Sequence, residues 1–374
     1  MIYLHIPFCK QKCSYCNFHF STSLNFKEEM IAAIKKELFL RKDELQDKNL
    51  KSLYFGGGTP SILKADELKS IIDEVLKYFT FDPAIEITLE ANPDDLDQPF
   101  LKALAQTEIN RLSIGTQSFF NEDLMLMNRA HNAGEAESSI KRAQDFGFEN
   151  ISIDLIYGAP TSSFEIWKEN LNKTIALEVP HVSSYALTVE PKTALHQWIR
   201  QNKVAAPKEA EQNLEFYYMS DFLKEHGFDH YEISNFGKPG FHSKHNSAYW
   251  NSHEYLGIGP SAHSYNGINQ RSWNMANNKR YIDSLDQNII PKETEFLSEK
   301  EQFNEMLMIG LRTVWGVDLR TLNEKFSEEI LSHLHHEIKL KMADGILIIE
   351  NHHLKIPEKH WFMADGIASD LFMV

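Results

Sequence analysis

Beyond Cys16 the chain has no cysteine: Cys9, Cys13 and Cys16 all fall within the first nineteen of its 374 residues. No disulfide framework can hold the rest together. An odd, clustered set suits a reducing compartment, so a cytoplasmic location is expected. No apolar run approaches the ~18 residues that a membrane span needs. No basic segment precedes an apolar stretch, so no cleaved secretion leader is expected. Positive charge is in short supply as well. Lys and Arg total 38 against 53 Asp and Glu, a formal net of −15, and no dense basic cluster offsets it. Such a field repels phosphate backbones, which excludes bulk nucleic-acid binding. Fixed-period repeats and low-complexity tracts are also missing, so solenoids and disordered linkers drop out.

What is present begins with an apolar, strand-like run, Ile2–Ile6, followed by a polar loop carrying the cysteines as C-x3-C-x2-C. Three thiolates so close in sequence can converge on one iron–sulfur cluster, leaving one iron of a cubane without a protein ligand. Two other readings stand beside this. The thiolates plus His5 or His19 would make a Cys3His zinc site, or the thiols could be metal-free. The loop, with Tyr15 just before its third cysteine, resembles that of the radical S-adenosylmethionine (SAM) family. That resemblance implies a [4Fe–4S] cluster on Cys9, Cys13 and Cys16, with the fourth iron chelating SAM.

Downstream, apolar strand-like runs alternate with helical periodicity: Leu50–Phe55, Ile85–Leu89, Arg111–Gly115, Ile151–Ile156 and His181–Leu187 as strands, with Ala65–Tyr78, Glu135–Phe146, Glu165–Leu177 and Lys208–His226 among the helices. Six strand–helix units in succession predict an α/β fold with a parallel sheet. The loop Gly56-Gly57-Gly58-Thr59-Pro60 lacks the third glycine of a dinucleotide fingerprint. A partial (β/α)6 barrel, the radical SAM scaffold, is therefore expected over residues 1–226. A covering and connecting region, 227–295, is expected to hold short strands and loops. A helix, helix and hairpin pattern over 296–374 predicts a small winged-helix-like accessory domain.

In parallel β/α folds ligands bind at the carboxyl ends of the strands. Here the cysteines, Gly56–Thr59, Glu90, Gln117 and Asp154 fall there, strand after strand. Glu90 and Asp154 lie on apolar strands, and a buried carboxylate needs donors. Ribose hydroxyls would serve; a salt bridge to Arg111 is the structural alternative. Arg129 is placed either as a forked partner for SAM's carboxylate or as a surface arginine.

The ordered segments HIPFC, YFGGGTPS, LEANP, RLSIGTQSF, NRAH and DLIYGAP resemble the oxygen-independent coproporphyrinogen oxidase branch of radical SAM proteins over essentially the whole chain. Matched motif by motif, the resemblance implies that Tyr3, Gly57, Gly58, Thr59, Glu90, Gln117, Arg129 and Asp154 line the SAM site, with Thr188 a weaker match. Two departures separate the chain from true oxidases. Phe18 stands where they carry a further cysteine, and they have a substantial segment ahead of the cysteine loop. The related HemW-type haem chaperones share both departures, and His245-Asn-Ser-Ala-Tyr-Trp250 resembles their H-N-x-x-Y-W signature. This likeness implies haem as a third ligand with His245 as its iron ligand, and His242, His253 and His263 behind it. It also implies transfer of haem to an acceptor haem protein, such as a membrane respiratory complex, with peripheral membrane contact. Decarboxylation of coproporphyrinogen III by a SAM-derived radical is the alternative, which Phe18 argues against.

Overall fold

The computed structural model describes residues 1–373. Six strands run parallel in strict chain order: β1 (Ile2–Ile6), β2 (Asn49–Gly57), β3 (Thr80–Ala91), β4 (Arg111–Gln117), β5 (Asn150–Tyr157) and β6 (His181–Ala186). The order never reverses. Right-handed crossovers then place every connecting helix on the same side, and the sheet curls as in a barrel instead of forming a doubly wound layer. Closure is incomplete. Beyond β6 come β8 (Asn235–Gly237), antiparallel to β6, and β7 (Asp229–Glu232), antiparallel to β8, while β9 (Leu256–Ile258) adds in parallel to β1. The central sheet therefore continues well past residue 226.

Apolar burial on one face holds the middle of the sheet, while the other face carries Ser52, Glu86, Glu90, Arg111, Ser113 and Asp154. Every residue of β4 is buried, and Leu53, Phe55, Ile87, Leu89, Leu112, Ile114, Ile151 and Ile153 pack across four neighbouring strands. Each such side chain contributes about 1.5–3 kcal/mol. Helices start where the sequence supplies caps. Ser163 accepts from the backbone of Ile166 ahead of Phe164–Ala176, and Asn132 with Glu135 forms a reciprocal box ahead of Ala133–Asp145.

The return of the chain to β1 rests on a buried charge cluster that hydrophobic patterning does not reveal. Glu37, on helix Lys27–Leu40, pairs with Arg41 at 2.8 Å, and accepts from the Gly259 amide at 2.8 Å and from Asn274 at 2.7 Å. Arg41 also donates to the Gly257 carbonyl at 2.7 Å. Both charges are satisfied, so the pair fixes β9 in place instead of destabilising the core.

The covering region differs from its sequence reading. The H-N-x-x-Y-W segment, expected among strands and loops, is a short helix, Lys244–Trp250, capped by Ser243. Seven residues give too few turns for an apolar period to show. Three further strands, β10 (His263–Tyr265), β11 (Gln270–Asn274) and β12 (Lys292–Phe296), form an antiparallel sheet. The C-terminal part has helices Glu299–Gly310, Leu319–Lys325 and Glu328–Ala343. They pack with a small antiparallel sheet of β13 (Val317–Asp318), β15 (His353–Lys355) and β14 (Ile348–Glu350). The two-residue β13 completes a winged-helix-like layout and was too short to read from sequence.

Candidate cluster and nucleotide site

The cysteine loop leaves β1 at its carboxyl end and closes on itself, the Cys9 amide donating to Ser21 O at 3.0 Å and the Ser21 amide to Pro7 O at 2.9 Å. It is then tied to the segment that carries Arg129. The Ser14 amide donates to Met127 O at 3.0 Å, Ser14 Oγ to Leu126 O at 2.7 Å, and Asn128 Nδ2 to Lys12 O at 2.7 Å. Lys10 bridges to Asp94 and Asp95 just after β3. The loop is thereby held by main-chain and ionic contacts to the segments that follow β3 and β4.

The glycine loop serves first to let two backbones meet. The Gly58 amide donates to Ile6 O at 2.9 Å, and the Thr59 amide donates to Phe8 O at 2.6 Å. A Cβ on Gly58 would stand 2.5 Å from Phe8 O, and one on Gly57, whose φ is +105°, would stand 2.6 Å from the His5 ring. Only glycine allows both the contact and the dihedral.

A chain of donors encircles the thiols. Arg129 Nη1 donates to Cys13 Sγ at 3.3 Å, and Nη2 donates to Asn92 Oδ1 at 2.6 Å and to Gly115 O at 2.8 Å. Asn92 Nδ2 donates to Thr59 Oγ1 at 3.4 Å, and the Thr59 hydroxyl bonds Cys9. Thr59, Asn92 and Arg129 thus link two of the three thiols through the ends of β2, β3 and β4. Asn92 was not singled out from sequence, although it stands in the LEANP segment two residues after Glu90. Burial pushes the Cys9 thiol up to about 11, the Thr59 hydroxyl pulling the other way, and burial also raises Cys16. The guanidinium of Arg129 is mostly committed within the protein. Nε is buried without a partner and Nη1 has used one of its two hydrogens, so two N–H groups remain for a ligand.

The remaining strand-end residues gather nearby. A Cβ on Gly56 would meet Tyr3 at 2.8 Å, Tyr54 at 2.9 Å and Glu90 Oε1 at 3.0 Å, so these three side chains converge there. Glu90 accepts from Tyr54 OH at 2.8 Å and from the Gly57 amide at 3.2 Å. Burial drives it up to about 7, the Tyr54 hydrogen bond opposing. Asp154 accepts from Ser113 at 3.4 Å, and burial raises it to about 6 against the nearby Arg111 charge. Neither carboxylate is in an ion pair among the described residues. Arg111 instead lies 3.9 Å from Glu86. Gln117 holds a left-handed φ of +64° where the β4–β5 register shifts. A buried, non-glycine residue in that conformation is held there by its surroundings and is a common mark of a ligand site. Thr188 is exposed on the loop after β6.

His5 is not open to a zinc ion: Nδ1 bonds Tyr3 OH at 3.3 Å and Nε2 bonds His19 O at 3.0 Å, while His19 Nε2 bonds Asn278 at 2.7 Å. Three soft thiolates in one loop, with unpartnered donors and acceptors beside them, suit the chemistry of a [4Fe–4S] cluster and its nucleotide.

His245 is packed into the core. Its ring is buried, Nδ1 bonded to Ser52 Oγ at 2.9 Å and Nε2 to Tyr249 OH at 3.2 Å, and it stacks on Tyr54 at 4.8 Å. Burial pulls its pKa down to about 3. With both nitrogens engaged, the ring joins helix Lys244–Trp250 to β2 in this structure. His242 likewise stacks on Tyr231 and bonds Asp229, and His263 lies against Trp273. His253 alone of the four lines a large cavity.

Residues 3–173 match the radical SAM superfamily, and residues 297–363 match the HemN C-terminal domain. The solved coproporphyrinogen III oxidase HemN of Escherichia coli superposes with a TM-score of 0.84, covering 100% of this chain and 89% of that one, at 21% identity. At that identity the likeness establishes the fold. The heme chaperone HemW of Mycobacterium tuberculosis is 30% identical over 99% of this chain and 94% of its own length. The heme chaperone HemW of Bacillus subtilis is 35% identical over 88% of this chain and 87% of its own length. A shared scaffold, both matched domains and sequence identity running through almost the full length of these relatives place the chain in the HemW family of the radical SAM superfamily.

Proposed function

We propose that this protein is a haem carrier built on a radical SAM scaffold. Cys9, Cys13 and Cys16 would hold a [4Fe–4S] cluster, and Tyr3, Gly57, Gly58, Thr59, Glu90, Gln117, Arg129 and Asp154 would surround SAM. The cluster, when bound, supplies an electron and an open iron to the nucleotide. The protein's own part is to keep the thiols ordered through Thr59, Asn92 and Arg129, and to present Glu90 and Asp154 to hydroxyl donors. Haem would be cargo, passed on to an acceptor haem protein such as a membrane respiratory complex through peripheral contact, in the cytoplasm. No helix among the described residues is long and apolar enough to cross a membrane.

The observation that carries the reading is the donor chain from Cys9 through Thr59, Asn92 and Arg129 to Cys13, with Arg129 Nε left over. Phe18, exposed where the oxidases carry a cysteine, favours carriage over porphyrinogen decarboxylation. Anaerobic reconstitution followed by SAM and hemin titration tests the reading. Cluster formation with hemin binding and no protoporphyrinogen production is expected, whereas turnover of coproporphyrinogen would replace the carrier with the oxidase.

A further inference from the structure

A second cavity, of about 880 Å³, opens between helix Lys244–Trp250, the β10–β12 sheet and the C-terminal domain. Its volume is in the range of pockets that hold drug-sized ligands. Main-chain bonds keep its two sides together: the Ile233 amide donates to Arg312 O and the Val314 amide to Tyr231 O, each at 3.0 Å. The walls are flat and aromatic. Tyr249, Trp250, Tyr255 and Trp315 line it, and Trp315 is left exposed.

The polar groups in this cavity are unfinished. Of the buried side-chain atoms without a partner, Trp250 Nε1, Arg271 Nε, Arg312 Nε and Glu232 Oε2 all belong to its lining. Such atoms are costly unless something meets them. Three of the four are N–H donors, which call for acceptors. Each arginine also stacks over a ring, Arg312 over Trp250 and Arg271 over Tyr265, both at 5.4 Å. Each is held by one carboxylate, Glu305 for Arg271 and Asp365 for Arg312, so the guanidiniums are oriented but not saturated. The lining sets Arg271, Arg312 and Lys325 beside Glu232, Glu305 and Asp318, and the unpartnered Nε donors of the two arginines suit a ligand with acidic groups and a flat body. The same lining holds His253, whose ring is exposed, while His353 already bonds Asn351 O at 3.0 Å.

We propose that this cavity is the tetrapyrrole site, the aromatic side chains enclosing the macrocycle, Arg271 and Arg312 taking its two carboxylates and His253 facing its metal. The proposal rests on the haem reading above and moves the haem away from His245. Imidazole is an ordinary axial ligand, forked arginines suit carboxylates, and flat rings suit a flat macrocycle.

Titration of the full-length, cluster-loaded protein with hemin and, separately, with metal-free protoporphyrin IX tests it. The double variant Arg271→Gln with Arg312→Gln is expected to weaken both ligands tenfold or more. His253→Ala is expected to weaken hemin and shift its Soret band, with protoporphyrin IX within twofold of wild type. Should the arginine pair be needed for folding by circular dichroism, Trp315→Ala, at an exposed position, takes its place with the same expected loss for both ligands. Hemin bound within twofold of wild type by every folded variant overturns the location while leaving haem as cargo. A wild-type protein that takes up no hemin overturns the haem reading and this site with it.

Discussion

The two candidate sites are built in opposite ways. At the strand ends the backbone itself is spent on the site: glycines let the β1 and β2 loops touch, and Thr59, Asn92 and Arg129 link one another to two thiols. The cavity beside helix Lys244–Trp250 is wide, lined by large side chains, and keeps four buried polar atoms without partners. The contrast teaches that the first site is organised before its cofactors arrive and is intolerant of added volume. The second is organised by what enters it.

The sharpest way to break this comparison is at Gly58. Gly58→Ala drives a methyl group into the carbonyls of Ile6 and Phe8 and is expected to cost about 3 kcal/mol, seen as a lower denaturant midpoint and a loss of reconstituted iron. A midpoint equal to wild type would mean the loops are not held as described. His245→Ala comes next. Removing a buried ring with two hydrogen bonds is expected to cost about 2 kcal/mol, with hemin affinity within twofold of wild type. A stable variant that had lost hemin would return His245 to the role of ligand.

Asn92→Ala sharpens the description of the donor chain. It removes one partner each from Arg129 and Thr59 and should weaken SAM about tenfold, the equivalent of one ordinary hydrogen bond, while leaving hemin binding alone. The smallest effect concerns pH. Burial holds Glu90 at about 7 and Asp154 at about 6, and ribose hydroxyls donate best to the ionised forms. SAM should bind several-fold more tightly at pH 7.5 than at pH 5.5, because the ionised carboxylates are the stronger acceptors. Linkage gives the opposite sign for the ligand-free protein. Both groups hold protons more tightly folded than at their ordinary values near 4, so stability declines as pH rises through the window up to 7. A flat SAM affinity across that range would remove both carboxylates from the nucleotide site.

Much of the first site was legible because its residues come in short local patterns. The cysteines share one loop, Glu90 and Gln117 close apolar strands, and Asp154 interrupts one, each with a plain period. Asn92 was missed because nothing in LEANP says which of its side chains will meet Arg129, thirty-seven positions away. The cavity was illegible for the same reason on a larger scale. Trp250, Arg271, Arg312 and Trp315 carry no shared period, and only the packing of the C-terminal domain against β7 brings them together. The packing of His245 was not legible from its motif either: Tyr54 and Tyr249 are the core contacts that bury it.

The central claim is that one chain keeps an inorganic cluster and a tetrapyrrole in separate places. Iron, sulfide and hemin counted per chain, in wild type and in Cys13→Ser reconstituted without oxygen, test it most directly. The account predicts about four irons and four sulfides per wild-type chain, a collapse of both in Cys13→Ser, and hemin bound equally by the two proteins. Loss of hemin together with the cluster would contradict it.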